Sequence, residues 1–136
     1  MELKLTPYFM MDGNTKDAIQ FYEKALDAKV VTIQTYGEVL PTCPSAIKGH
    51  VAHAMLKVGE SVLLFSDTPG PVIEKGNQLM ISISTKTKER SKQIFETLQQ
   101  GGKVNQPLEE TPFSPAFGNV TDKFGITFQV VTEREY

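Results

Sequence analysis

The sequence predicts a single α+β domain made of two similar halves, each with one helix followed by antiparallel strands. Three observations lead there. The 136 residues are 40% apolar and 22% charged, an ordinary mix for one domain with a real core. Two stretches with apolar residues at helical spacing are each followed by segments that alternate like strands. A faint repeat relates the halves: Phe21 to Lys29 reads FYEKALDAK and Phe95 to Lys103 reads FETLQQGGK, and in both a helical Phe precedes a Lys-Val pair by the same spacing.

The elements follow in order. Residues 3–11 alternate loosely and read as a first strand, ended by Asp12-Gly13-Asn14. Asn14 is a good N-cap and Asp17 suits a helix start, so Ala18, Ile19, Tyr22, Ala25 and Leu26 define a helix over about 15–26. A strand from Lys29 to about Tyr36 comes next. Residues 37–49 hold two prolines and two glycines and read as a long loop, either a lid or disordered. Val51–Val58 and Ser61–Ser66 form a hairpin around Gly59-Glu60, with Lys57 opposite Val62, Met55 opposite Leu64 and His53 opposite Ser66. Asp67-Thr68-Pro69-Gly70-Pro71 closes this half.

The second half restarts with a strand from Gln78 to Thr85. Thr87 caps a helix whose inner face is Ile94, Phe95 and Leu98, and Gly101-Gly102 ends it. Strands follow at Lys103–Leu108, at Phe113–Thr121 (weakened by Pro115) and at Ile126–Thr132, with a turn at Asp122-Lys123-Phe124-Gly125. Asp122 sets that turn by accepting from nearby backbone amides. A ferredoxin-like fold is the main competitor, but it needs fewer strands.

Several function classes are disfavoured. The net charge is -2 and Lys and Arg form no long run, so nucleic acid is not an expected partner. No apolar run approaches a membrane span, and the first residues lack a signal pattern, so a cytoplasmic location is expected. Cys43, the one cysteine, has no Cys-x-x-Cys mate and reads as an unpaired loop thiol. Glu109 and Glu110 are adjacent, so on a strand they face opposite ways and cannot work as a pair. No Ser-His-Asp order, zinc spacing or glycine-rich cofactor loop is present.

Three stretches carry a resemblance: PYFMMDGNTKDAIQFYEKAL (7–26), HAMLKVGESVLLFSD (53–67) and GGKVNQPLEETPFSPAFGNVTDKFGITFQV (101–130). Together they resemble the PhnB-like branch of the glyoxalase, bleomycin-resistance and extradiol-dioxygenase superfamily, also called the vicinal oxygen chelate superfamily. The resemblance spans nearly the whole chain and implies two βαβββ modules, about 1–70 and 77–136, forming a curled, cup-like, mostly antiparallel sheet with one helix per module. It also implies a homodimer that holds a small-molecule ligand in the cup. Relatives in this branch carry labels that include methyltransferase.

Enzymes of the superfamily hold a divalent metal through His, Glu or Gln on the first and last strands of the modules. Those positions fall here on Pro7, Leu64, Gln78 and Gln129. Proline and leucine side chains cannot ligate, and two neutral amides hold a divalent ion poorly. No metal and no other cofactor is therefore expected, and no catalytic residue is assigned. The residues expected to contact ligand are His53, Met55, Ser66, Gln78 and Gln129.

Each has a plainer reading. His53 is either a polar handle in the cup or a half-buried histidine hydrogen-bonded within the sheet. Gln78 and Gln129 would bind ligand or each other through water. Met11, Met55 and Met80 would line the interior or simply fill the core. Asp67 could stand at the cup's edge, and His50 reads as solvated. The leading expectation is a metal-free small-molecule binding protein. The alternatives are a divalent-metal lyase or isomerase using His53, Gln78 and Gln129, and a structural dimer whose cup is filled.

Overall fold

A computed structural model describes residues 3–69, 73–76 and 78–134. Met1 and Glu2, Gly70 and Pro71 of the turn closing the first half, and the last two residues lie outside that set. The chain divides at Glu74/Lys75 into two compact units, here module one and module two. No described helix is long and apolar enough to cross a membrane.

Module one comprises β1 (Tyr8–Met11), α1 (Thr15–Leu26), β2 (Lys29–Thr35), α2 (Tyr36–Val39), a 3-10 turn (Ser45–Ile47), β3 (Val51–Val58) and β4 (Ser61–Asp67). Module two comprises β5 (Ile81–Thr85), α3 (Lys88–Leu98), β6 (Lys103–Thr111), β7 (Ser114–Thr121) and β8 (Thr127–Thr132). Each module has its own four-stranded sheet, in the orders β1-β4-β3-β2 and β5-β8-β7-β6. In each, the first strand runs parallel to the fourth and the other neighbours are antiparallel. The expected pair of βαβββ modules is therefore present. The repeat that predicted it is structural: Phe21 and Phe95 are both buried, and Lys29 and Lys103 each begin the second strand of their module.

Helix α1 has the limits its periodicity predicts. Its Ala18, Ile19, Phe21, Tyr22, Ala25 and Leu26 are buried and pack against one face of sheet one, beside Phe9, Leu56 and Phe65. The Tyr22 ring lies 5.8 Å from Phe9 and 5.9 Å from Phe65, centroid to centroid. Burying side chains of this size stabilises by about 1.5–3 kcal/mol each. The helix stops at Asp27, whose φ of 57 breaks the α pattern. The β3–β4 hairpin also keeps its predicted register, with Lys57 opposite Val62 and Met55 opposite Leu64 across a Gly59 at φ 57.

Four expectations need correction. The first strand is only Tyr8–Met11; Leu3 and Leu5 before it are 88% and 95% exposed and belong to no strand. The strand expected from Gln78 begins at Ile81. Strand β6 continues past Leu108 to Thr111 despite Pro107, because register shifts between Gln106 and Glu109 absorb the residue that cannot donate. The segment read as one long loop is ordered by local bonds: Tyr36 and Gly37 amides donate to the His50 and Lys48 carbonyls, and Thr35 and Glu38 form a capping box.

Candidate functional site

The alternation along the strands gives each sheet one face packed on its helix and one open face. In module one the open face carries Tyr8 and Met10 on β1, Val62 and Leu64 on β4, and His53 and Met55 on β3. Its β1 and β4 part is mainly apolar, with Tyr8 48% and Met10 49% exposed, whereas Lys57 on β3 and Lys29, Thr32 and Gln34 on β2 make the opposite side polar. His53 is half-buried, its ring 6.4 Å from that of Tyr8. Among the described residues its imidazole has no hydrogen-bond partner, so the sheet-bonded histidine of the plainer reading is not what forms. The β3–β4 ladder ends at Ala54–Phe65, and Ser66 is buried with its Oγ donating to the Ala52 carbonyl at 3.0 Å. Ser66 is thus used within the sheet rather than paired across to His53.

Module two presents a different open face. Ser82 and Ser84 on β5, Thr127, Gln129 and Val131 on β8, and Phe117, Asn119 and Thr121 on β7 share it. Gln129 Nε2 donates to Ser82 Oγ at 3.0 Å. Asn105 Nδ2 donates to Asn119 Oδ1 at 2.8 Å and to Thr121 Oγ1 at 2.9 Å. Asn119 Nδ2 in turn reaches Met80 Sδ at 3.5 Å. Gln129 lies on this face of β8, with Ser82 as its strand neighbour. Gln78 is exposed in a bend before β5 begins.

His50 and Asp67 lie away from their expected places, and Met11 takes the core-filling one of its two readings, for reasons of parity and long-range packing. Met11 faces α1 and is 4% exposed, so Met10, one residue earlier, is the methionine on the open face. His50 is half-buried over Gly13, where an added Cβ would come within 3.1 Å of its Cε1. Asp67 is only 1% exposed: its Oδ1 accepts from Thr15 N at 3.0 Å and Thr15 Oγ1 at 2.7 Å, and its Oδ2 from Val51 N at 2.8 Å. It joins the end of β4 to the starts of α1 and β3, a structural knot rather than a carboxylate at an edge. The Ser-Asp end of the sequence pattern carried no signal of this.

Residues 3–131 match the family described as 3-demethylubiquinone-9 3-methyltransferase. The chain belongs to this family. The family's PhnB protein from Bacillus cereus is 26% identical in sequence, with a TM-score of 0.81, covering 96% of this chain and 99% of that one. Protein PA1353 from Pseudomonas aeruginosa is 29% identical at a TM-score of 0.88, covering 98% of this chain and 100% of the other. A glyoxylase/bleomycin resistance protein/dioxygenase domain from Frankia sp. EAN1pec has the same fold, at 14% identity and a TM-score of 0.70, over 99% of this chain and 95% of that one. The PhnB-like chain thereby shares the fold of that glyoxylase/bleomycin resistance protein/dioxygenase domain.

The metal that the glyoxalase resemblance implies does not suit the side chains that this PhnB-like chain offers. Leu64 is one of the four ligand positions that the resemblance implies and lies between Tyr8 and Met55. Pro7 contributes only a carbonyl, which accepts from Leu64 N at 3.0 Å. Gln129 is a neutral amide bound to Ser82, and Gln78 is outside the strand. Among the described residues no three His, Cys, Asp or Glu side chains converge. A divalent ion would find neither an anionic nor an imidazole ligand at these positions.

Proposed function

We propose that this chain is a small-molecule binding protein that uses the glyoxalase-type fold without the superfamily's divalent metal. The open face of module one supports this most directly: Tyr8 and Met10 are about half exposed, beside the half-buried Leu64, Met55 and His53. Apolar surface left in water gains about 25 cal/mol per Å² when a ligand covers it. Thioethers adapt to ligands of different shape, and the unbonded imidazole of His53 supplies one polar contact. Gln129 is proposed as a contact from module two.

The methyl transfer in the family's description draws no support from the helix starts. Helix α1 follows Asp12-Gly13-Asn14 and α3 follows Lys86-Thr87, and neither is a glycine-rich cofactor loop.

The test is thermal unfolding of the intact chain against a panel of small aromatic and aliphatic molecules. A true ligand at 100 times its Kd stabilises by about 2.7 kcal/mol. Leu64→Glu, checked by circular dichroism to be folded, should abolish that shift. The proposal is overturned if no compound raises Tm, or if the shift persists unchanged in Leu64→Glu.

A further inference from the structure

On the open face of module two, the Asn105, Asn119 and Thr121 part of the amide and hydroxyl lattice has an orientation that its own bonds determine. Asn105 Nδ2 has two hydrogens and uses them on Asn119 Oδ1 and Thr121 Oγ1. That fixes which end of the Asn119 amide faces Asn105, and its nitrogen is turned to Met80 Sδ. Asn119 and Gln129 are direct cross-strand partners, as are Gln129 and Ser82. Gln129 Nε2 donates to Ser82 Oγ, so Gln129 Oε1 is left as an acceptor and the Ser82 hydroxyl proton is left as a donor. An acceptor and a donor therefore stand side by side on adjacent strands, held before any ligand arrives.

Every side chain in this lattice is neutral: Ser82, Asn105, Asn119, Thr121, Thr127 and Gln129. A carboxylate or an ammonium ion settling between Ser82 and Gln129 would give up hydration for these dipoles, because the charged residues that share the face, Lys103 opposite Thr121 and Glu109 opposite Phe117, stand on β6, two strands from β8. A neutral amide loses far less and matches the pair: its N–H donates to Gln129 Oε1 while its carbonyl accepts from Ser82.

We infer that the open face of module two recognises the amide edge of a neutral ligand, a carboxamide or lactam, through Ser82 and Gln129, with Asn105 and Asn119 as positioning residues. This rests on the small-molecule reading above and names the ligand's class.

The experiment compares three probes of equal size: benzamide, benzoate and benzylamine. Each is titrated into the full 15N-labelled chain, and backbone and side-chain amide resonances are followed. Benzamide should shift the Gln129 side-chain amide and the Ser82 and Asn119 resonances, with a Kd at least about fivefold below those of the charged probes, the size of one hydrogen bond. Ser82→Ala should weaken benzamide by a similar factor while Tm holds. Gln129→Glu should move the preference to benzylamine. Equal affinity for the three probes, or tighter benzoate, overturns the inference. If benzamide shifts only Tyr8, His53 and Met55, small-molecule binding stands and the amide assignment falls. If none of the probes, nor the thermal panel, perturbs either face, both fall together.

Discussion

Modules one and two follow the same path, yet they close the same position with opposite chemistry. The last register pair of β1 and β4 is Met11–Asp67, and the last pair of β5 and β8 is Thr85–Thr132. Asp67 and Thr132 thus occupy one structural slot. In module one a carboxylate collects three donors from α1 and β3. In module two the slot begins a hydroxyl chain: Thr132 to Ser91 at 2.7 Å, and Ser91 to Thr85 at 2.6 Å. Thr85 Oγ1 donates its one proton to the Thr87 carbonyl, so Ser91 must donate to Thr85 and Thr132 to Ser91. A hydroxyl gives and takes, so a chain of three satisfies itself. A carboxylate only accepts, so burying it requires donors from several elements.

The contrast predicts unequal costs for the two positions. Asp67→Ala leaves the Thr15 and Val51 amides buried and unpaired, at about 1–3 kcal/mol each, so a loss of about 3 kcal/mol or more is expected. Thr132→Val keeps the shape and removes one hydroxyl, for about 1 kcal/mol. Urea unfolding of both variants measures the pair. Equal losses would break the comparison and mean that the Asp67 knot is replaceable by water.

The helix starts sharpen it. Thr87 Oγ1 accepts from Arg90 N at 3.1 Å, a local cap, and Thr87→Ala should cost about 1 kcal/mol. The Asn14 side chain makes no cap bond; its Oδ1 accepts from Asp12 N, while Asp67 serves the helix from across the module. Asn14→Ala should therefore cost about 0.5 kcal/mol or less in the same assay. A full loss on Asn14→Ala would show that capping in module one is local after all.

The smallest effect concerns the turn that module one inserts between β2 and β3. The Thr35 backbone amide, then the Thr35 hydroxyl, donate to Glu38, and together with the nearby Lys16 charge they hold its carboxyl below the ordinary glutamate value. A pKa lowered by folding stabilises above the unfolded value and loses that contribution as pH falls through the folded one. The Thr35 amide should therefore lose hydrogen-exchange protection on acidification through that range. In Glu38→Gln the protection should no longer follow pH there, and an unaltered pH profile in that variant would rule out Glu38 as the titrating group.

Much of the fold was legible because its determinants are local. Helix α1, the β3–β4 register and the Asp122 turn, where Asp122 Oδ1 accepts from Phe124 N and Ile126 N, each depend on residues within a few positions of one another. The site was less legible. Period two tells that Met10 and Met11 face opposite ways, but not which of them meets α1. The bonds of Gln129 to Ser82 and of Asn105 to Asn119 could not be read ahead, since small polar residues on strands carry no pattern of their own.

By itself, then, the amino-acid sequence determined two repeated modules, the limits of α1 and the hairpin register next to its turn. The tertiary structure alone decided that Asp67, 52 positions from Thr15, would anchor α1, that His50 would rest on Gly13, and that Gln129 would bond Ser82 across 47 positions. The reason is one of range: periodicity, capping and turn chemistry act over a turn or a hairpin, whereas a buried polar group takes its partners from whatever strand the fold brings beside it.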